Sequence, residues 1–381
     1  MGFEVSSRIV SGNEELKNIG IHLKALGYKN PALLCDKNLY DSSEYVMSCI
    51  ESIRLEYDLL FFLYDYPFEP SYQFIDKLNE RVIQTPKSSS IDCWIAIGGG
   101  SAMDSAKVLA ILASNPGSAM TYKGFPEDLN KPLPIICVPS TTGTGSEVVY
   151  NASLIDEVTK VKMGVNYKKN YPVLAILDPN VVASAPLSVL SSSGCDAMVH
   201  SLESFVSPLK THESKMFSVM AFKMILNNMP IILSSEGNLD NWLSMQWASI
   251  FAMHGLSNSS SGPAGALSYY LGTNYKVNHG VAGAVFIGKI SRFNHENGLF
   301  DYSELYEGRE NNLSEEEKSL AVINSIEELL ALANIPNSLT HFGVTAADLE
   351  GFCDFRKQTD GAFKMNPIHI DEQALIERIL K

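Results

Sequence analysis

The chain has 381 residues, of which 45% are hydrophobic and 19% are charged, and its formal net charge is −14 at pH 7. This length exceeds the usual size of one hydrophobic core and predicts two domains. The acidic balance argues against a nucleic-acid-binding face, which requires clustered basic residues. The sequence has no apolar signal segment at its N-terminus and no run of eighteen apolar residues, so we expect neither a secretory leader nor a membrane span.

The six cysteines are scattered along the chain and form no C-x-x-C pair. Several of them begin or end apolar segments, which is typical of small core residues. This usage predicts reduced cysteines and therefore a cytoplasmic protein.

Short apolar segments alternate with helical segments up to about residue 180. The predicted strands span residues 31–35, 58–63, 93–97, 134–138 and 173–177. This alternation favours an α/β domain with a mainly parallel sheet. From residue 186 onward the periodicity is helical, over residues 186–207, 212–229, 239–257, 262–273, 279–293, 314–334 and 371–380. We therefore predict an α/β domain over residues 1–185 and an all-α domain over residues 186–381, with the site in a cleft between them.

Asp36 stands at the carboxyl end of the first predicted strand. In dinucleotide-binding folds an acid at such a place bonds the ribose 2′-hydroxyl and repels a 2′-phosphate. The usual order places the glycine turn before the acid, whereas here the acid comes first. An ordinary loop acid or a helix N-cap is the alternative interpretation of Asp36.

A glycine turn formed by Gly98, Gly99, Gly100 and Ser101 joins the strand at 93–97 to a predicted helix over residues 102–112. Glycine permits close approach of the backbone to a phosphate, and the first turn of the helix offers N–H groups and the positive end of its dipole. The turn is therefore a candidate pyrophosphate site, although a glycine-rich turn can also serve only to reverse the chain. It does not follow the G-x-G-x-x-G pattern.

A second polar turn, over residues 139–147, follows the strand at 134–138. It carries hydroxyl groups and glycines, including Thr141, Thr142 and Thr144. Ligands bind at the carboxyl ends of strands in open α/β sheets, where such hydroxyls can bond phosphate, ribose or carboxamide groups. A solvated surface loop is the alternative.

Asp196 and His200 lie four residues apart on a predicted helix and so share one face. His279 precedes a glycine, Gly280, that permits close backbone packing. One carboxylate and two imidazoles with an open position match a catalytic zinc site in number and type of ligands. A simple hydrogen-bonded Asp–His pair is the alternative interpretation.

These segments together resemble the iron-containing (group III) alcohol dehydrogenase family, which shares a fold with glycerol dehydrogenase and dehydroquinate synthase. The resemblance rests on residues 98–107, 139–147 and 194–203, and on Leu271-Gly272 leading to residues 279–282. It covers the chain from about residue 3 to the C-terminus. It implies a dinucleotide-binding α/β domain and an all-α domain of the dehydroquinate synthase-like fold.

The resemblance also implies roles for individual residues. Asp36 would select NAD(H), and the turn of Gly98, Gly99, Gly100 and Ser101 would hold the pyrophosphate. The metal ligands would be Asp196, His200 and His279. Further cofactor contacts would come from Asp104, Thr141, Thr142, Thr144 and Lys162.

The sequence departs from the family pattern at two positions, where the family has histidines four residues apart. An ungapped alignment places Gly265 at the position of the metal-ligand histidine and Tyr269 at that of the proton-relay histidine. His254 belongs to the preceding helix, and we expect it to pack or to face solvent. Three ligands and a water still make a workable zinc site, but the metal could equally have been lost.

We predict an NAD(H)-dependent oxidoreductase that interconverts an alcohol and an aldehyde or ketone, with Tyr269 and Lys162 as candidate catalytic residues. Tyr269 either relays a proton or only fills the space of a histidine, since the ordinary pKa of tyrosine is near 10. The expected cofactors are NAD(H) and a divalent metal, zinc or iron. The expected partners are a small alcohol or carbonyl substrate and a second copy in a homodimer. A dehydroquinate-synthase-like cyclase and a non-catalytic nucleotide-binding paralogue are the alternatives.

Overall fold

The computed structural model describes residues 3–66, 69–310 and 312–381. They form two compact units, one of Val5–Pro186 and one of Leu187–Lys381 with Phe3 and Glu4. The first is an α/β unit and the second is helical, as the predicted fold class requires. The predicted limits, 1–185 and 186–381, differ from these units at the N-terminus. There Phe3 stacks on Phe217 at 5.4 Å, and the Glu4 N–H donates to Asn258 at 2.8 Å.

The α/β unit is built on a six-stranded, fully parallel sheet with the strand order β1-β8-β5-β4-β2-β3. Its strands are β1 (Arg8–Ser11), β2 (Pro31–Asp36), β3 (Leu60–Tyr64), β4 (Cys93–Gly98), β5 (Ile135–Pro139) and β8 (Leu174–Leu177). A two-stranded antiparallel pair, β6 (Asn151–Ala152) and β7 (Val165–Asn166), lies outside it. The helices of this unit are α1 (Ile19–Leu26), α2 (Lys37–Ser42), α3 (Glu44–Glu56), α4 (Tyr72–Gln84), α5 (Gly100–Leu112) and α6 (Pro179–Ala183).

Both faces of the sheet are buried, and successive side chains of each strand point alternately to the two faces. Leu34 and Trp94 enter a core that also contains Met103 of α5. Leu33 and Ile95 enter the opposite core with Ile50 of α3. Burial on two faces explains why the central strands read as continuous apolar runs rather than alternating ones.

The helical unit contains α7 (Leu187–Val206), α8 (His212–Leu233), α9 (Leu239–Ser257), α10 (Pro263–Tyr275), α11 (His279–Glu296), α12 (Glu315–Leu332), α13 (Leu349–Gln358), α14 (Asp360–Phe363) and α15 (Glu372–Ala374). Helix α7 packs against α8, α9 and α11, and α10 packs against α11. The predicted helix at 371–380 is instead α15 followed by a π-helical segment over Leu375–Leu380.

Helix α8 is long and apolar enough, by length and composition alone, to cross a membrane. A core helix passes the same test, and about 33% of the apolar window of α8 is buried in this unit. The expected lack of a membrane span therefore stays a prediction.

Candidate active site

Strand order brings Asp36 beside the glycine turn. Strands β2 and β4 are neighbours, and Cys35 pairs with Ile97, so Asp36 and Gly98 follow at the same edge of the sheet. A Cβ at Gly98 would lie 3.0 Å from the Cβ of Asp36. One oxygen of Asp36 accepts a hydrogen bond from the Leu39 N–H at 3.0 Å and caps α2. The capping interpretation of Asp36 therefore holds, and it is compatible with a second role for the other carboxylate oxygen.

The glycine turn opens α5 with an uncapped N-terminus. Gly98 has a φ of 155° and would place a Cβ 2.8 Å from that of Ala102, so only glycine fits there. Within the described residues, no side chain caps the N-terminus of α5 at Gly99. The first N–H groups of this helix and its dipole are thus available to an anion.

The turn after β5 packs directly on the glycine turn. Strands β4 and β5 are paired, and the Ser140 N–H donates to the Gly98 carbonyl at 2.9 Å. A Cβ at Gly99 would lie 3.3 Å from Thr141, and one at Gly100 would lie 2.8 Å from Thr144. The hydroxyl-rich turn therefore forms one wall of the glycine turn.

The threonines of this turn differ in their surroundings. Thr142 is buried, and the Thr144 hydroxyl accepts the Ser146 N–H at 3.3 Å. The Thr141 hydroxyl is buried and has no partner among the residues that the structure describes. Buried polar groups are normally satisfied, so the Thr141 hydroxyl is a candidate ligand contact.

Asp104 and Lys107 form a buried cluster beneath the two turns. One oxygen of Asp104 accepts hydrogen bonds from the Ser146 hydroxyl at 2.6 Å and from Lys107 at 3.3 Å, and the other accepts the Ser153 N–H at 2.8 Å. Lys107 also donates to Ser146 at 2.6 Å. Both oxygens of Asp104 thus have protein partners, which ties α5 to the second turn. This arrangement favours a supporting role over the direct cofactor contact inferred from resemblance.

Glu147 lies beside this cluster, and its position in the turn over residues 139–147 did not suggest a role for it. It is fully buried, and its Oε1 atom has no hydrogen-bond partner within the described parts of the chain. Burial raises the pKa of Glu147 to about 7, although nearby Lys107 opposes the shift.

Lys162 is almost buried, and its ammonium group lies 2.8 Å from a carboxylate oxygen of Glu69. This ion pair holds the lysine within the α/β unit. Its predicted contact with a cofactor and its predicted catalytic role stay predictions.

Asp196, His200 and His279 converge in the helical unit, and one ligand atom from each lies within 4.8 Å of the others. Asp196 Oδ1 is 3.6 Å from His200 Nε2 and 3.8 Å from His279 Nε2. Both separations exceed ordinary hydrogen-bond lengths. They approach the roughly 3.4 Å between neighbouring ligands of a tetrahedral ion with bonds of 2.0–2.2 Å.

Close packing of α7 and α11 brings these three residues together. Asp196 and His200 share a face of α7, while His279 is the first residue of α11. A Cβ at Gly280 would lie 2.0 Å from the Ser192 carbonyl oxygen. A glycine after His279 is therefore required for the two helices to approach this closely.

Gly265 contributes no side chain to this cluster, and its surroundings are occupied. A Cβ there would lie 2.2 Å from the Ser261 hydroxyl and 3.1 Å from a carboxylate oxygen of Glu203. His254 lies on α9, where it is buried with its ring edge against Phe217. Burial lowers the pKa of His254 to about 4, which fits the expected packing role.

Tyr269 stacks on His279, with ring centroids 5.3 Å apart and planes 20° from parallel. Its side chain is 37% exposed. The adjacent Ser268 is buried and lies 3.2 Å from His279 Nδ1. Sequence reasoning missed Ser268 and Glu203, because a lone buried serine and a glutamate within a helix carry no distinctive pattern.

The chain matches two family models along nearly its whole length. Residues 6–179 match the iron-containing alcohol dehydrogenase model. Residues 190–381 match the C-terminal model of the Fe-containing alcohol dehydrogenase family.

Individual relatives agree with these matches. The NAD-dependent methanol dehydrogenase of Bacillus methanolicus is 28% identical over 360 residues, covering 91% of each chain. The 1,3-propanediol dehydrogenase of Citrobacter freundii is 27% identical over 370 residues, covering 96% of this chain and 94% of that one. A crystal structure of a 1,3-propanediol oxidoreductase superimposes with a TM-score of 0.88 at 26% identity, over 98% of this chain and 97% of that one. The chain therefore belongs to the iron-containing alcohol dehydrogenase family.

Proposed function

We propose that this protein is an NAD(H)-dependent oxidoreductase that interconverts a small alcohol and its aldehyde or ketone. The observation that carries the proposal is the Asp196, His200 and His279 cluster, held by a glycine contact between two helices. A dinucleotide cradle in the α/β unit supports the same reaction. A relative of this chain is named an NAD-dependent methanol dehydrogenase, and others are named 1,3-propanediol dehydrogenases.

The α/β unit fits a dinucleotide on its own geometry. The α5 N-terminus has no side-chain cap among the described residues, and the Thr141 hydroxyl beside it is buried without a partner in the described chain. Both features suit a pyrophosphate or carboxamide acceptor. Asp36 stands at the neighbouring strand end, where its negative charge disfavours a 2′-phosphate. We therefore propose a preference for NAD(H) over NADP(H).

The helical unit fits a divalent metal on its donor set. Asp196, His200 and His279 offer one carboxylate and two imidazoles, which suits both catalytic zinc and non-haem iron(II) sites with open positions. When bound, NADH would supply a hydride to a carbonyl and NAD+ would accept one from an alcohol, and the metal would polarise the substrate oxygen. Elemental analysis of the purified protein distinguishes iron, which the family name indicates, from zinc.

Tyr269 is the candidate proton donor of the helical unit. Its stacking on His279 and its partial exposure leave it accessible to a substrate oxygen next to the metal ligands. A Tyr269→Phe variant keeps the stacked ring and removes only the hydroxyl. We expect kcat to fall and its dependence on pH to change, while the metal content stays the same. An unchanged pH profile would indicate that Tyr269 only fills space. Lys162 is proposed as a positive charge near the cofactor.

We also propose a cytoplasmic homodimer. All six cysteines are free and buried, which suits a reducing compartment. The four-residue strand β1 forms one edge of the sheet, and an edge strand can pair with a second copy. Light scattering coupled to gel filtration tests the dimer.

The decisive experiment measures NADH absorbance with purified protein and a panel of aldehydes and alcohols. The proposal expects net turnover by the parent and its loss in an Asp196→Asn variant that still binds NADH. NADH binding with no turnover on any substrate would support the non-catalytic paralogue. Product formation without net NADH consumption would support the cyclase.

A further inference from the structure

The hydroxyl group of Ser268 contacts His279, one of the proposed metal ligands, and the direction of its proton can be assigned. The residue lies on α10 and is 1% exposed. Its Oγ is 2.6 Å from the Gly265 carbonyl oxygen and 3.2 Å from His279 Nδ1. A serine hydroxyl has one proton, and a carbonyl oxygen can only accept. The shorter contact therefore receives that proton, which leaves the Ser268 oxygen as an acceptor toward His279.

We infer that Ser268 fixes the tautomer of His279 with the proton on Nδ1, and that Glu203 holds α10 in the position from which Ser268 does so. The Nδ1–H donates to Ser268, so the lone pair of the ring lies on Nε2. Nε2 is the atom 3.8 Å from Asp196 Oδ1. A neutral imidazole must offer this lone pair to bind a metal ion. The inference rests on the metal site proposed above.

His200 provides an internal comparison, because its Nδ1 is buried and has no hydrogen-bond partner in the described residues. No hydrogen bond to Nδ1 within the described residues therefore selects the tautomer of His200, in contrast to that of His279. The two imidazoles of the cluster therefore differ: a hydrogen bond at Nδ1 sets the tautomer of His279 but not that of His200.

Glu203 holds the N-terminus of α10 through four hydrogen bonds. It lies on α7 and is 3% exposed. Its Oε1 accepts the Ala264 N–H at 2.7 Å and the Gly265 N–H at 3.0 Å. Its Oε2 accepts the Gly262 N–H at 2.7 Å and the Ser261 hydroxyl at 2.9 Å. These bonds satisfy N–H groups that no intrahelical carbonyl can reach, and the negative charge matches the positive end of the helix dipole.

Gly265 supplies no side chain through which an ion could hold α10, whereas Glu203 bonds the start of this helix directly. The carboxylate of Glu203 lies where a side chain at 265 would begin, 3.1 Å from the built Cβ. Glu203 and both ligands of α7 belong to one helix. The hydrogen bonds of Glu203 therefore fix the position of Ser268 relative to Asp196 and His200, the residues with which His279 would share a metal.

The tautomer is measured on metal-free, full-length protein labelled with ¹⁵N-histidine, by long-range proton–nitrogen correlation. The chain has eight histidines, and a His279→Gln variant assigns the signal. We expect the parent to show a single His279 tautomer protonated at Nδ1. A Ser268→Ala variant should show a mixture of tautomers, because the acceptor is gone.

Metal affinity is measured on the same variants with Zn²⁺ alone, by competition with a chelating dye. We expect Ser268→Ala to weaken Zn²⁺ binding about 10- to 100-fold, as is usual when a hydrogen-bond partner of a metal-bound histidine is removed. The matched control is Ser249→Ala, which removes another buried hydroxyl of the helical unit, one without a partner among the described residues. It should change neither the tautomer nor the affinity.

The role of Glu203 is tested with Glu203→Gln and with the milder Ser261→Ala. In glutamine an NH₂ group replaces one carboxylate oxygen. It cannot accept hydrogen bonds, so two of the four donors at the start of α10 would lose their acceptor. We expect hydrogen exchange in residues 264–275 to accelerate about 10- to 100-fold in Glu203→Gln, together with mixed His279 tautomers. In Ser261→Ala, which removes one donor of four, both effects should be smaller. In the parent, removal of metal by a chelator should leave this exchange unchanged.

Three results would overturn the inference. They are a parent His279 protonated at Nε2, a Ser268→Ala variant that keeps the parent's tautomer, and a Glu203→Gln variant with unchanged exchange and tautomer. A parent with the expected tautomer that binds no metal would instead refute the proposed metal site and leave the positioning of His279 by Ser268 intact.

Discussion

Substituting Gly280 by alanine tests whether close contact between α7 and α11 creates the metal-like cluster. The new Cβ would lie 2.0 Å from the Ser192 carbonyl oxygen and 2.8 Å from its carbonyl carbon. Carbon and oxygen atoms in close contact are normally about 3.3 Å apart. The two helices must therefore separate by more than about 1 Å at this point, because backbone atoms cannot rotate away as a side chain can.

The cost of this separation can be estimated. Overpacking a well-packed core costs about 1–3 kcal/mol, and contact with backbone places this site near the upper end. Replacing a helical glycine by alanine returns about 0.5–1 kcal/mol. We expect a net destabilisation of about 2 kcal/mol. Metal sites tolerate ligand shifts of about 0.2 Å, so a shift of 1 Å between Asp196 and His279 should weaken Zn²⁺ binding at least about tenfold.

The assays are urea unfolding and Zn²⁺ titration of the purified variants. Gly283→Ala is the matched control, because Gly283 lies one turn further along α11 and also faces α7. Its Cβ would lie 3.2 Å from Cγ2 of Val199, a side-chain atom that can give way. We expect this control to be neutral or slightly stabilising, with unchanged metal affinity. A Gly280→Ala variant as stable as its parent and with equal Zn²⁺ affinity would show that contact between α7 and α11 does not set the geometry of the cluster.

Three further predictions concern the α/β unit. Asp36→Ser keeps a capping oxygen for α2 but removes the negative charge. The ratio of NADP(H) affinity to NAD(H) affinity, measured by calorimetry, should therefore rise at least about tenfold. A parent protein that prefers NADP(H) would contradict the role proposed for Asp36. Gly100→Val displaces Thr144, which lies 2.8 Å from the built Cβ, and should abolish measurable NADH binding in a folded protein. Gly12→Ala should leave NADH binding unchanged, because its Cβ would meet only Glu15 Oε2, at an ordinary contact distance of 3.8 Å. Burial raises the pKa of Glu147 to about 7. Between about pH 4.5 and 7 the folded state therefore binds more protons than the unfolded state. The free energy of unfolding should fall by about 3 kcal/mol as pH rises through that window. Glu147→Gln should flatten this slope in urea unfolding at a series of pH values, and an unchanged slope would show that another group titrates.

Sequence patterns located most elements because apolar periodicity reports burial directly. The five predicted strands coincide with β2, β3, β4, β5 and β8 to within two residues at each end. The weak elements were missed: β6 and β7 have two residues each, and β1, although as long as β8, lacks the fully buried apolar run of β8. Helix α13 was also not predicted. Two-residue strands such as β6 and β7 cannot establish a period, and their pairing depends on residues that are distant in sequence.

In the candidate site, too, local patterns could be predicted and contacts between distant residues could not. Residue types and spacing were enough to single out the glycine turn, the threonine turn and the Asp196–His200 pair, since each is a local pattern. The link between Asp36 and Gly98 follows from the pairing of β2 with β4, which no local pattern specifies. The position of His279 beside Asp196 likewise depends on helix contact.

Periodicity and local motifs were enough to predict an α/β part followed by a helical part, the family and the types of groups available for chemistry. Which of these groups have partners became visible only in the folded chain. The fold engaged both oxygens of Asp104 with the protein, left Glu147 buried with an unsatisfied oxygen in the described chain, and gave Ser268 its contact with His279. Hydrogen bonds between distant residues depend on a few tenths of an ångström in packing, and that precision is set by the folded core as a whole.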